Sequence, residues 1–216
     1  DSQCCGGLDA VALGAQMIRA GSAHVVIAGG LESWSRAPQR TTNPVEGIPK
    51  AYSRPPFSPW PDRDPDMLEA AAELAQARRI SRVKQQQYAI ASHTKAQANP
   101  KQPGLIPIGG QTDDEYTRAL SERLCQRLPP VAGIEPHALD AATVASQADA
   151  AALVILMSEE ALGKRPQNQT VVRVLGSSSG GSDPAQPALA PIAVAQKLLK
   201  HHKLQSNQLH SVHLME

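Results

Sequence analysis

The sequence predicts an α/β fold, and three observations carry that reading. A helical pattern over Leu8–Arg19 runs directly into the β-branched stretch His24-Val-Val-Ile-Ala28. A wholly apolar run, Ala150–Met157 (AAALVILM), has the length of a central strand, or of a helix end running into one. Near the end, an amphipathic helix over Ile192–His202 lies between two strand-like segments, Thr170–Leu175 and Ser211–Leu214. Strands alternating with helices describe an α/β architecture.

Each element has a local reason. Leu8, Val11, Ala12, Ala15 and Ile18 recur at helical spacing, and Gly21 stops that helix. The run 24–28, bounded by Gly29-Gly30, reads as a buried strand of the kind found in sheets covered on both faces. Residues 36–66 carry Pro38, Pro44, Pro49, Pro55, Pro56, Pro59, Pro61 and Pro65, which break any regular element. So long an excursion reads as functional rather than as a simple connector. Met67–Arg79 is Ala/Glu-rich and helical, and Ser81 caps a second helix running to about Ala98. Residues 99–141 are mixed, with one helical stretch at Thr117–Arg127. Gly176–Ser182 (GSSSGGS) reads as a flexible loop. No internal repeat of short period is visible.

Composition excludes several classes. The 216 residues are 41% hydrophobic and 19% charged, enough for a real core in one domain or two small ones. No apolar run approaches a membrane-spanning length, so no membrane insertion is expected. A net charge of +1 and only two Trp, three Tyr and one Phe argue against nucleic acid as a partner. Three cysteines, two of them adjacent, argue against a secreted disulfide scaffold and for a reducing, cytoplasmic compartment. No Cys/His cluster has zinc spacing, so no metal is expected. No signal peptide is visible, in a chain that starts at Asp1.

The segment Cys4-Cys5-Gly6-Gly7-Leu8 is the most informative. It opens a helix, where free N–H groups and the positive dipole end favour a thiolate, the reactive form of cysteine. Glycines there admit a substrate close to the backbone. Placement alone leaves open the other reading, a free cysteine that is merely buried and inert. Ala28-Gly29-Gly30-Leu31-Glu32-Ser33-Trp34-Ser35 follows a strand; alone it could be an ordinary strand exit. Asp149, just ahead of the AAALVILM run, would by itself read as a cap on the element that follows. The loop at 176–182 lacks the Gly-Lys-Ser/Thr of a phosphate cradle and reads as a solvated connection.

In this order, these segments resemble the thiolase family across the whole chain. Asp1-Ser-Gln-Cys4-Cys5-Gly6-Gly7-Leu8 is similar to the family's Asn-x-x-Cys-(Ala/Gly)-Ser-Gly-Leu. Ala28–Ser35 is similar to Ala-Gly-Gly-x-Glu-Ser-Met-Ser. The segments beginning at Met67 and Ile80 resemble the Met-Gly-x-Thr-Ala-Glu helix and its Ile-Ser-Arg-Glu-Glu-Gln-Asp continuation. Ala145–Val154 resembles Asn-Ala-Ser-x-x-x-Asp-Gly-Ala-Ala, and Val212–Glu216 the strand leading into Asn-Glu-Ala-Phe.

The resemblance implies a layered αβαβα fold with an inserted loop domain. Residues 1–35 would end the N-terminal half, 36–141 form the loop domain over coenzyme A, 142–168 return to the N-terminal half, and 169–216 begin the C-terminal half. It implies that Cys4 is the acylated nucleophile, with Cys5 at the family's small Ala/Gly position. It implies that Ser146 contacts the pantetheine arm of coenzyme A, and that Asp66 and Met67 line the same tunnel. The implied activity is an acyl-CoA acyltransferase that cleaves or forms 3-ketoacyl-CoA through a cysteine acyl-enzyme, in fatty acid metabolism. Coenzyme A is then a substrate, no separate cofactor is needed, and the assembly is a homodimer or homotetramer. An alternative is a non-catalytic thiolase-like subunit that binds coenzyme A or a partner; a generic α/β cysteine hydrolase is a weaker third reading.

The match is partial. The family's Gly-His-Pro segment, which activates the nucleophile, and its Cys-x-Gly-Gly-Gly segment do not occur here, and none of the seven histidines matches. Met215 stands where many family members have an Asn that orients an oxyanion-hole water, and a thioether cannot donate that bond. Gly6 replaces a Ser, Ala150 replaces a Gly, and the segment around Ser146 is shorter than the common pattern.

Overall fold

The computed structural model describes residues 2–99, 104–112, 114–164 and 170–214. In chain order its main elements are α1 (Gly6–Arg19), β1 (Val25–Glu32), β2 (Arg40–Thr41), β3 (Ala51–Tyr52), α2 (Met67–Ala77) and α3 (Arg82–Ala98). There follow α4 (Glu122–Cys125), β4 (Pro130–Ala132), β5 (Leu139–Asp140), β6 (Ala150–Met157), α5 (Glu159–Gly163) and α6 (Ala190–His201). The chain forms two compact units. The first is Asp1–Pro55, Gln147–Gly180 and Ile192–His210; the second is Pro56–Ser146, Gly181–Pro191 and Ser211–Glu216.

The first unit is built on β1 and β6, paired antiparallel from Val25↔Met157 to Glu32↔Ala150. The helix α1 lies on one face of this ladder. Asp9 in its first turn and Arg19 in its last complement the helix dipole. Its C-terminus closes in a Schellman arrangement: Gly21, at φ +72°, donates to the Ile18 carbonyl at 3.0 Å, and Ser22 donates to Met17 at 3.0 Å. Glycines let backbone and side chains approach closely. A Cβ on Gly14 would lie 2.8 Å from Leu156 Cδ1, and one on Gly29 only 2.0 Å from the Ala152 carbonyl oxygen. A Cβ on Gly30 would instead meet the Gly7 backbone at 3.4 Å, an ordinary contact.

Several expectations need correction here. The strand at β1 is covered on one face only among the described residues: Ala28 is 6% exposed beneath α1, while Ile27 and Ile155 on the opposite face are 68% and 63% exposed. Residues 170–175 are not a strand. Arg19 Nη2 donates to the Val174 and Leu175 carbonyls, and no described strand completes a ladder there. Residues 211–214 likewise run without a ladder. The loop at 176–182 is irregular as expected, but it packs on α6: a Cβ on Gly176 would stand 2.6 Å from His202 Nε2.

The second unit centres on α2, α3 and the β4–β5 pair. Asp66 caps α2, accepting from Leu68 N at 2.8 Å, and Ser81 caps α3, accepting from Lys84 N. The alanine-rich face of α2 permits close packing: Ala72 joins Ala132 and Leu139 in a core flanked by Leu68, Ala71 and Val144. The helix expected at 117–127 shrinks to α4. Upstream, Asp114 takes the N–H groups of Tyr116 and Thr117 and His93 Nδ1 takes that of Arg118 in a turn, and Ser121 caps the helix that follows. Residues 36–66 are largely irregular as expected, holding only the two-residue β2–β3 pair and a short 3-10 turn at Pro61–Arg63.

One polar network runs through this unit. Arg82 Nε donates to Asp140 Oδ2 at 2.7 Å and Nη1 to Glu135 Oε1 at 2.5 Å, while Nη2 donates to the Leu128 carbonyl. Gln86 Nε2 donates to Asp140 Oδ2 at 2.6 Å and to the Cys125 carbonyl at 3.2 Å. Asp140 is fully buried. Burial alone would raise its carboxyl pKa; hydrogen bonds from Gln86, Arg82 and the Ala142 N–H outweigh it and hold the group below its ordinary value.

Two predictions follow from this packing. Gly29→Ala should cost about 1–3 kcal/mol of stability, read as a lower denaturant midpoint, because its Cβ strikes strand backbone, whereas Gly30→Ala should cost much less. Asp140→Ala should cost about 3–5 kcal/mol by leaving Arg82 without its buried partner. Because the folded Asp140 pKa is depressed, its contribution is present above the unfolded carboxylate pKa and disappears as pH falls through the folded value. The stability gap between wild type and Asp140→Asn should therefore close in acid, as read from urea titrations at stepped pH.

Candidate active site

Cys4 sits in a 3-10 turn, Gln3–Cys5, immediately ahead of α1. The Cys5 N–H donates to the Ser2 carbonyl at 3.0 Å and closes that turn. Gln3 adopts φ +46°, a left-handed conformation that costs a non-glycine residue roughly 1–2 kcal/mol. The strained residue thus directly precedes the candidate nucleophile. Cys4 and Cys5 are both free and exposed, whereas Cys125 is free and buried. Burial, and then the nearby Asp140 charge, push the Cys125 thiol up, which keeps it protonated and unreactive.

The direction of α1 decides where Cys4 lies. Its first turn meets β1 at Gly30 through Gly7, and its middle meets Val26 through Gly14, so helix and strand run in opposite senses. Cys4 is therefore at the end of the ladder where β1 finishes at Glu32 and β6 begins at Ala150. A 3-10 turn, Trp34–Arg36, follows β1 at the same end. Asp149 grips it: Ser35 N donates to Oδ1 at 2.8 Å and Ser35 Oγ to Oδ2 at 2.5 Å. The Ser35 hydroxyl, then the Ser35 N–H, hold the Asp149 carboxyl below its ordinary value. Asp149 is thus no cap on the element that follows it; β6 is a strand, and the carboxylate ties two segments 114 residues apart. His24 is at the opposite end of the ladder, with Nδ1 3.2 Å from Ser158 Oγ.

The other residues singled out from the sequence belong to the second unit. Asp66 is the N-cap of α2, Met67 is its first residue and 45% exposed, and Ser146 is exposed in irregular chain between β5 and β6. The capping bond of Asp66 has a short-range signature, an Asp directly before a helix. The Asp149–Ser35 link was not legible, because no local pattern says which distant serine a carboxylate will meet. Asp1 and Met215 lie outside the described residues. Among the described residues, no group of three or more His, Cys, Asp or Glu side chains could hold a metal ion. No described helix is long and apolar enough to cross a membrane.

Comparisons with known proteins agree with one another. A family profile described as "Thiolase, N-terminal domain" matches residues 1–160. The chain is 34% identical over 213 residues to a Bacillus subtilis protein named "Putative acetyl-CoA C-acetyltransferase YhfS", covering 94% of this chain and 54% of that protein. It is 28% identical to Staphylococcus epidermidis VraB, named in the same way, covering 100% of this chain and 59% of that one. The chain therefore spans little more than half the length of these relatives. Human mitochondrial 3-ketoacyl-CoA thiolase, solved in complex with CoA, superposes with a TM-score of 0.73 at 27% identity, covering 94% of this chain and 54% of that one. A family profile over residues 1–160, a relative 34% identical over nearly the whole chain and an α/β fold shared with a solved thiolase lead to one assignment: the chain belongs to the thiolase family.

Proposed function

We propose that this chain is part of an acyl-CoA acyltransferase of thiolase type, with Cys4 as the acylated nucleophile. One observation carries the reading: Cys4 is a free, exposed thiol in the strained turn ahead of α1, and the first turn of that helix rests on Gly30 of β1. In the degradative direction the Cys4 thiolate attacks the keto carbon of a 3-ketoacyl-CoA. The bond between that carbon and the next breaks, and the departing acetyl-CoA enolate takes up a proton. Coenzyme A, its thiol losing a proton, then attacks the thioester carbonyl; the carbon–sulfur bond to Cys4 breaks, releasing acyl-CoA and the Cys4 thiolate. The condensing direction reverses these steps, with acetyl-CoA acylating Cys4 first and releasing coenzyme A. Hydrogen-bond donors around the carbonyl oxygen would stabilise the negative charge that develops there.

Coenzyme A enters as a substrate, and no separate cofactor is part of the scheme. We assign Ser146, Asp66 and Met67 to the binding of its pantetheine arm, and residues 36–141 to the loop domain that covers it. The family resemblance and the exposure of Ser146 and Met67 support that assignment. The same resemblance supports a homodimer or homotetramer acting in fatty acid metabolism, and the free thiols suit a reducing, cytoplasmic compartment.

The test uses the whole natural protein. Incubation with acetyl-CoA should add an acetyl group that peptide mapping places on Cys4, and Cys4→Ser should abolish the adduct. Iodoacetamide should label Cys4 faster than Cys5, and Cys125 only after unfolding. A full-length protein with no adduct, or with equal labelling of all three thiols, would overturn the assignment in favour of a non-catalytic subunit.

A further inference from the structure

We propose that Asp149 is a positioning residue for Cys4, acting through the Ser33–Ser35 turn and the end of β1 beneath the first turn of α1. The inference deepens the reading of Cys4 as nucleophile and rests on it. Its argument is a chain of contacts within the first unit. Asp149 immediately precedes Ala150, which pairs with Glu32 as the last rung of the β1–β6 ladder. Beyond that rung the two strands have no ladder bonds to hold them together, and antiparallel ends fray when nothing ties them. The Asp149 carboxylate supplies the tie, using both oxygens on one residue: Ser35 N at 2.8 Å and Ser35 Oγ at 2.5 Å. Charge-assisted bonds of this kind are about twice as strong as neutral ones. Glu32 Oε1 also accepts from Ser33 N at 2.9 Å, a local bond where the strand ends.

What the tie secures is the seat of the nucleophile. Gly30 is two residues before Glu32, and a Cβ there would stand 3.4 Å from Gly7 Cα and 3.6 Å from Gly7 N. The first turn of α1 therefore rests directly on strand backbone, with no side chain between them to absorb a shift. Cys4 is three residues upstream of Gly7 on the same short stretch of chain. Movement at the end of β1 passes to Gly7 and so to the sulfur. A displacement of about 1 Å at a reacting group costs on the order of a hundredfold in rate when it disrupts attack geometry. Asp149 touches no reacting atom in this scheme; it acts by fixing what carries the thiol.

The test compares full-length wild type with Asp149→Ala, Asp149→Asn and Ser35→Ala. Two rates are read on each: acetylation of Cys4 by acetyl-CoA, and labelling of Cys125 by iodoacetamide as a reporter of global opening. Asp149→Ala should slow Cys4 acetylation on the order of tenfold while Cys125 stays protected. Asp149→Asn keeps an acceptor oxygen for Ser35 N and should retain the wild-type rate within about threefold. Ser35→Ala removes only the hydroxyl bond and should fall between them, which keeps the proposal testable if Asp149→Ala does not fold. Unchanged acetylation in Asp149→Ala and Ser35→Ala would overturn the proposal. So would a parallel rise in Cys125 labelling, which would make Asp149 a general stability residue. If wild type itself takes no acetyl group, the nucleophile reading fails instead. Iodoacetamide labelling of Cys4 then still reads the positioning effect, and equal labelling across the variants would overturn that as well.

Discussion

Eight residues of β1 lie antiparallel to eight of β6, and at Gly29 the two backbones leave no room for a Cβ beside the Ala152 carbonyl. The features of the first unit follow from that close pairing. It gives α1 a surface to lie on, with Gly14 set against Val26 and Leu156 and Gly7 against Gly30. It brings Ser35 and Asp149 to the same end of the ladder, where the carboxylate can reach both the backbone and the hydroxyl of one serine. It also separates His24 from Cys4 by the length of the ladder, because His24 precedes the first rung and Cys4 lies by the last. A single register thus sets the candidate nucleophile at one end of the ladder and His24 at the other.

The second unit is held by a different kind of constraint. Its apolar core is small, made largely of alanines with Leu139 and Leu68, and contributes modestly by area. The fully buried Asp140 carboxylate compensates for its own desolvation with three donors: Arg82 Nε, Gln86 Nε2 and the N–H of Ala142. Removing one partner leaves a charge with nowhere to go, so the network specifies one arrangement of α3 against β5 more sharply than alanine packing can. The same network seals Cys125, whose carbonyl accepts from Gln86. The protein therefore carries two chemically distinct kinds of cysteine: the exposed pair at Cys4-Cys5 and a sealed one at Cys125.

Much of the local structure was legible in the residues. The apolar spacing of α1, the Gly21 stop, the Ser81 cap and the strand runs at β1 and β6 are short-range patterns, and the observed elements follow them. Where reading failed, a distant group had taken over a local one. Asp114 holds the N–H groups of Tyr116 and Thr117, and His93 Nδ1 that of Arg118, in a turn, and helix begins only after Ser121. Arg19 bonds the Val174 and Leu175 carbonyls, and residues 170–175, despite good strand propensity, meet no described strand to pair with. Propensity describes what a segment prefers alone, and such competition is invisible to it.

The candidate site divides along the same line. The sequence by itself determined the family, through motifs in a fixed order, and it marked Cys4 as the thiol to test, since a reactive residue and its flanking glycines sit together in the chain. Its apolar spacing also put the start of α1 beside that thiol, as observed. Only the tertiary structure decided that α1 and β1 run in opposite senses, that Gly7 rests on Gly30, and that Asp149 closes on Ser35. The physical reason is one of range. Helix spacing and caps act over a few residues, whereas strand register and the pairing of a carboxylate with a serine 114 residues away are settled only when the whole unit packs.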